Sequence, residues 1–128
     1  MSKETFDKGR TIREEVLGRE RVAKALDQAD AFNRDFQEIL TEYCWGACWG
    51  REGLSRPQRS LLNLWMLAAL NRSHEFELHF RAAIGNGLTR AELQDALIQI
   101  AIYCGVPAGV EAHRIASKVL AEPWISLK

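Results

Sequence analysis

Net charge is the first thing this sequence lacks: its 17 Lys and Arg residues balance 17 Asp and Glu residues. Without surplus positive charge there is no field to hold a polyanion, which argues against nucleic acid as a partner. Long hydrophobic runs are missing too. The most apolar stretch, "LLNLWMLAAL" (61–70), falls short of the roughly 18 residues needed to cross a bilayer, so it reads as a helix buried in protein, and no membrane partner is expected. The opening "MSKETFDKGR" has no apolar core of the kind a secretion signal requires. The three cysteines are an odd count and suit no secreted disulfide framework. A reducing, cytoplasmic setting is the expectation that follows. Proline is scarce, and Pro57, Pro107 and Pro123 each stand where a helix can begin or the chain can turn. Alternating apolar and polar residues, the mark of half-buried strands, are also rare.

What is present is helical spacing. Apolar residues make up 47% of the 128, enough for a core, and the length suits one domain over residues 1–128. The spacing predicts a first helix over 3–17 that stops near Gly18, then one or two helices within 19–49. Asp30 can cap the longer piece and set Phe32, Phe36, Ile39, Leu40 and Tyr43 on one face. Ser55 with Pro57 starts a helix over 56–70 that is apolar almost all round and so should be central. Ser73 reads as the cap of a helix over 74–84, which ends in "GNG", where Gly85 or Gly87 can turn left-handed. Thr89 and Glu92 have capping-box spacing and open a helix that runs to about Cys104. After "GVP" a last helix runs from Pro107 to about Glu122. The fold class is therefore all-α, an antiparallel helical bundle of about six or seven helices joined by short links. Its apolar faces and four tryptophans permit self-association.

The side chains able to do chemistry are few. Cys44 and Cys48 in "EYCWGACWG" share a helical face, but C-x-x-x-C is neither the redox spacing C-x-x-C nor a zinc set, and packing is the commoner role. His74 and His79 are five apart, a poor spacing for one face. His79 lies beside the apolar face of Phe76, Phe80, Ala83 and Ile84, and His113 borders that of Ala112, Ala116, Val119 and Leu120. Taken singly, each is more often a structural histidine than a catalyst, yet imidazole is the best proton donor here at neutral pH. Arginine forks onto a carboxylate through two hydrogen bonds, so Arg59 (with Asn63 one turn on), Arg72 and Arg81 matter if the ligand is an anion. No phosphate-cradling Gly-rich loop, Ser-His-Asp signature or H-E-x-x-H is present. Neither a metal nor a cofactor is expected, and a site would be built from histidine, arginine and aromatic groups.

The segments "AFNRDFQEILTEYCWGACW", "RSLLNLWMLAALNR", "LHFRAAIGNGLT" and "IYCGVPAGVEAHRIA", in this order and spacing, resemble the carboxymuconolactone decarboxylase family over nearly the whole chain. The resemblance implies an all-helical fold shared with alkylhydroperoxidase D-like proteins and a ring-like homohexamer. Peroxidase-like relatives carry C-x-x-C shortly before the histidine of "LHFRAA"; Arg72 and Glu75 stand at those positions here, and Ser60 stands at the relatives' proton-relay glutamate. Only His79 of that relay is retained. The implied activity is decarboxylation of 4-carboxymuconolactone, a lactone dicarboxylate met in protocatechuate breakdown by the β-ketoadipate pathway. The resemblance casts His79 as the general acid, Arg59 and Arg72 as carboxylate binders, and Tyr43 and Trp45 as an aromatic wall. Three other classes stay open at this point: a paralogue acting on a related lactone or acid, a thiol-dependent peroxidase or reductase using Cys44, Cys48 or Cys104, and a non-enzymatic oligomer that binds an aromatic acid or a partner protein.

Overall fold

A computed structural model describes residues 2–127. The chain forms two compact units, one ending at Ser55 and one beginning at Arg56. Both are all-α: seven α-helices and one π-helix, with no strand among the described residues. No helix among those residues is long and apolar enough to cross a membrane.

In the first unit, α1 (Lys3–Leu17) opens on Ser2, whose Oγ accepts the Thr5 amide at 3.1 Å, and closes on Gly18 at φ 96°. Helix α2 (Arg19–Asp27) follows directly. Asp30 does act as a cap: its Oδ1 accepts the amides of Phe32 at 2.9 Å and Asn33 at 3.1 Å. The chain then enters α3 (Arg34–Ile39), which widens without a break into a π-helix (Leu40–Cys48). The wider turn is visible where the Trp49 amide reaches back five residues to the Cys44 carbonyl at 2.9 Å. The face carrying Phe32, Phe36, Ile39 and Tyr43 points outward, with Phe32 96% exposed. Trp45 and Trp49 turn the other way, buried, with ring centroids 4.9 Å apart and planes tilted by 33°.

Helix α1 lies tightly against the π-helix, and two glycines permit the approach. A Cβ on Gly9 would stand 2.0 Å from the Thr41 carbonyl oxygen, and one on Gly46 would stand 2.4 Å from that of Thr5. Beside this crossing, buried Arg13 donates through Nη1 to Gln37 Oε1 and Thr41 Oγ1, both at 3.1 Å. Because the obstacle at Gly9 is backbone, Gly9→Ala must separate the two helices and should cost about 1–3 kcal/mol. Urea unfolding checks this, and an unchanged midpoint would show that the crossing is looser than described.

The second unit contains α4 (Arg56–Ala69), α5 (Ser73–Gly85), α6 (Arg90–Cys104) and α7 (Val106–Leu120). Leu64, Phe76, Phe80, Leu97, Ile100, Ile115 and Val119 form its core. Thr89 and Glu92 make the capping box read from the sequence. Of the two glycines offered after α5, Gly87 takes the left-handed position at φ 102°. Two details depart from that reading. Ser73 is the first helical residue rather than the cap, and its hydroxyl turns to Glu111. Helix α4 is not wrapped on all sides: Ser60, Leu64 and Ala68 are buried, while Leu62, Trp65 and Met66 are exposed. A helix apolar all round has more than one face to cover, and a single chain covers one of α4's.

Candidate active site

Helices α4 and α5 are joined by a short turn at 70–72 in which Asn71 takes φ 58°. They run antiparallel, so residues early in α4 meet residues late in α5. Two polar rungs cross between them. Asn86 Nδ2 donates to Ser60 Oγ at 2.8 Å, and Asn63 Nδ2 lies 3.4 Å from His79 Nδ1. Ser60 is fully buried, and Asn63 and His79 are half-buried. Arg59, half-buried, is one turn before Asn63 and so belongs to the same side of α4.

The His79–Asn63 contact has a chemical consequence. The Asn63 amide can donate to Nδ1 of a neutral ring whose proton is on Nε2, and after a half-turn its oxygen can accept from Nδ1–H of the imidazolium. Burial holds His79 below the ordinary imidazole range, partly offset by the nearby Glu75 carboxylate. Burial disfavours the cation here, and an anion brought close to the ring would favour it again.

The structure sorts the residues that the sequence singled out. His79 and Arg59 sit on facing helices beside the polar rungs. Arg72 is at the far end of the hairpin from Arg59, beside a water-sized space it lines with Ser73 and Glu111. Arg81, next but one to His79, is engaged within its own chain: its guanidinium grips Glu122 at 2.9 Å and Glu77 at 2.9 Å, tying α5 to the end of α7. The hydrogen bond from Lys118, and after it that from Arg81, holds the Glu77 carboxyl below the usual carboxylate range, and the Arg81 bonds do the same for Glu122. Tyr43 and Trp45 belong to the first unit, Tyr43 exposed and Trp45 buried against Trp49. No disulfide joins the three cysteines, and burial pushes the Cys44 thiol up, away from the thiolate form that nucleophilic sulfur chemistry needs. Among the described residues no three His, Cys, Asp or Glu side chains gather as a metal-binding group.

Asn86 is an addition to the site that sequence reasoning did not make, and Ser60, which the resemblance set at the relatives' relay-glutamate position, gains a partner in it. The trace of Asn86 was spacing: it is seven residues from His79, on the same helical face.

A helical unit with a histidine held between helices by an amide, and arginine beside it, is the setting in which the comparisons with known proteins fall. The carboxymuconolactone decarboxylase family matches residues 34–118, and the chain belongs to that family. It is 44% identical over 115 residues to the nitrosuccinic acid decarboxylase npaB of Metarhizium robertsii, covering 90% of this chain and 80% of that one. It is 36% identical over 121 residues to the 4-carboxymuconolactone decarboxylase of Acinetobacter baylyi, covering 94% of this chain and 90% of that one.

Proposed function

We propose that this protein is a carboxy-lyase that needs no cofactor and converts 4-carboxymuconolactone to 3-oxoadipate enol-lactone. The observation that carries the reading is the Asn63–His79 pair beside Arg59, in a chain 36% identical to a 4-carboxymuconolactone decarboxylase along 94% of its length. The reaction breaks the bond between a ring carbon and its carboxylate. The electron pair left behind runs through the ring alkene into the lactone carbonyl, so the substrate is its own electron sink. The protein then has three tasks. Arg59 holds the acetate carboxylate that is retained. Donors at the site stabilise the developing enolate oxygen. His79, charged as the imidazolium, then gives a proton to the ring carbon next to the lactone carbonyl, which leaves the double bond at the carbon that lost carbon dioxide. Arg72, at the other end of the hairpin, is the weaker of the two arginines for this purpose.

A second reading has its own support, the 44% identity to a nitrosuccinic acid decarboxylase. Nitrosuccinate is also a dicarboxylate that carries its own sink: the pair released at the carbon bearing the nitro group moves into that group as a nitronate. One carboxylate leaves, one is retained, and one carbon is reprotonated. The same arginine and histidine suit both substrates. The outward apolar faces on α4 and on 32–43 support self-association, read here as the homohexamer implied by the family resemblance.

Assigning the proton to His79 fixes a pH signature. Free His79 is held low by burial, whereas a bound dianion favours the imidazolium. The kcat/KM profile follows the free protein and the kcat profile follows the complex. Both should fall as pH rises, with the kcat/KM limb below the ordinary imidazole value of about 6.5 and the kcat limb at higher pH. Rates that climb with pH through neutrality would make His79 a base and overturn the assignment.

A further inference from the structure

A groove of about 290 Å³ runs between α6 and α7, on residues that the proposed chemistry does not use as acid or anchor. Its floor is apolar: Phe80, Leu93, Leu97, Ala116 and Leu120. Its polar residues are Arg90, Gln94, His113 and Ser117, and no carboxylate lines it. The close crossing of the two helices at Ala101 and Gly109, where a Cβ on the glycine would stand 2.4 Å from that of Ala101, sets their antiparallel register. In that register Arg90 lies level with Leu120, and His113 level with Leu97. The two therefore mark opposite ends of the groove, seven residues apart along α6, or about 10 Å at 1.5 Å per residue.

The ends have different chemistry. Arg90 is exposed and makes no ion pair or hydrogen bond with the described residues, so its fork is available to an anion. His113 is fixed differently. Its Nδ1 is 2.7 Å from the Gly109 carbonyl oxygen, which can only accept, so Nδ1 carries a proton. In the neutral ring Nε2 is then an acceptor, which suits an incoming hydroxyl. We infer that this groove is a second ligand site, separate from the His79 site, for a phenolic carboxylic acid: carboxylate on Arg90, ring over Leu93, Leu97 and Ala116, phenol O–H donating to His113 Nε2. The apolar floor with a few polar groups at fixed places is the ordinary build of a small-molecule site.

Because the chain has only three histidines, imidazole NMR signals report binding site by site. The probe is 3-(4-hydroxyphenyl)propanoate added to the full-length protein with labelled histidine. It should move the His113 signals, saturably, and leave those of His79 in place. Its primary amide should bind at least ten-fold more weakly, and so should the parent acid to Arg90→Gln. The analogue without the hydroxyl should bind several-fold more weakly than the parent to the native chain, and equally to His113→Ala. Ser117→Trp, a change at an exposed position, should block the groove without disturbing the fold. Movement at His79 with His113 still, equal binding of acid and amide, or undiminished binding to Arg90→Gln or Ser117→Trp would overturn the assignment, as would no shift at millimolar probe. The His79→Gln protein should bind the probe like the native chain, so failure of the decarboxylase reading and failure of this one are separate results.

Discussion

Replacing His79 with glutamine lowers kcat by about 10²- to 10⁴-fold, the usual contribution of a positioned general acid. Glutamine keeps a polar side chain that Asn63 can still reach, so the melting temperature should move by only a few degrees. The loss should fall mainly on kcat, because the proton is delivered after the substrate carboxylate has been bound by arginine. That division matters. If KM rose and kcat held, His79 would be an anchor and the proton would have another source. Asn63→Leu should act through the same histidine. It removes the amide beside Nδ1, so its effect should be smaller and should change the shape of the pH profile as well as its height.

Phe80→Ala is the largest expected effect on stability, about 3–5 kcal/mol. Phe80 is completely buried, lies 6.2 Å from the Phe76 ring centroid to centroid, and belongs to the core shared by the four helices of the second unit. Truncation removes the transfer energy of a phenyl ring and leaves a cavity among helices that cannot easily close on it. Against a total stability of about 5–15 kcal/mol, that is a large share, and the melting temperature should drop by about 10–20 °C. Calorimetry on the variant tests it; a drop of under about 3 °C would mean the helices collapse onto the site far better than close packing allows.

These two residues are neighbours in the sequence and opposite in role, and they show how much of the molecule the sequence discloses. The helix over 3–17, the Asp30 cap and the Thr89–Glu92 capping box are local features. Their causes lie within four residues, so spacing and residue type suffice. The π-helix is different. Residues 40–48 have ordinary helical spacing, and the wider turn accompanies a backbone approach from α1 that depends on Gly9 and Gly46, more than thirty residues apart. Ser73 was displaced from its capping role by Glu111, 38 positions away, which no local rule could anticipate. The site shows the same division. His79 was visible as an imidazole on the edge of an apolar face, and family resemblance gave it a task. Its amide partner was not visible, because Asn63 stands across the hairpin. The pairing of Ser60 with Asn86 was hidden for the same reason, since only tertiary packing brings them within hydrogen-bonding distance. The exposed side of α4 was misjudged because hydrophobicity tells how much surface wants cover, not which molecule provides it.

The proposed chemistry also explains why two relatives with differently named substrates share one scaffold. A lactone carbonyl and a nitro group are both electron acceptors conjugated to the carbon that loses carbon dioxide. Neither asks the protein for more than a held carboxylate, donors at the acceptor oxygen and a returned proton. Discrimination between them then rests on the shape of the surrounding walls and on the distance between the anchored carboxylate and the reacting carbon. Small changes there would redirect the substrate while the arginine and histidine stay in place.

The most direct test is a single assay: purified protein, treated with chelator and with its thiols alkylated, is given 4-carboxymuconolactone and, separately, nitrosuccinate, and carbon dioxide is measured. We expect one molecule of carbon dioxide for each molecule of the lactone consumed, at the rate of untreated protein. Release from nitrosuccinate alone would move the substrate to the second reading. Release from neither, or release that returns only when a metal or prosthetic group is added back, would contradict the account.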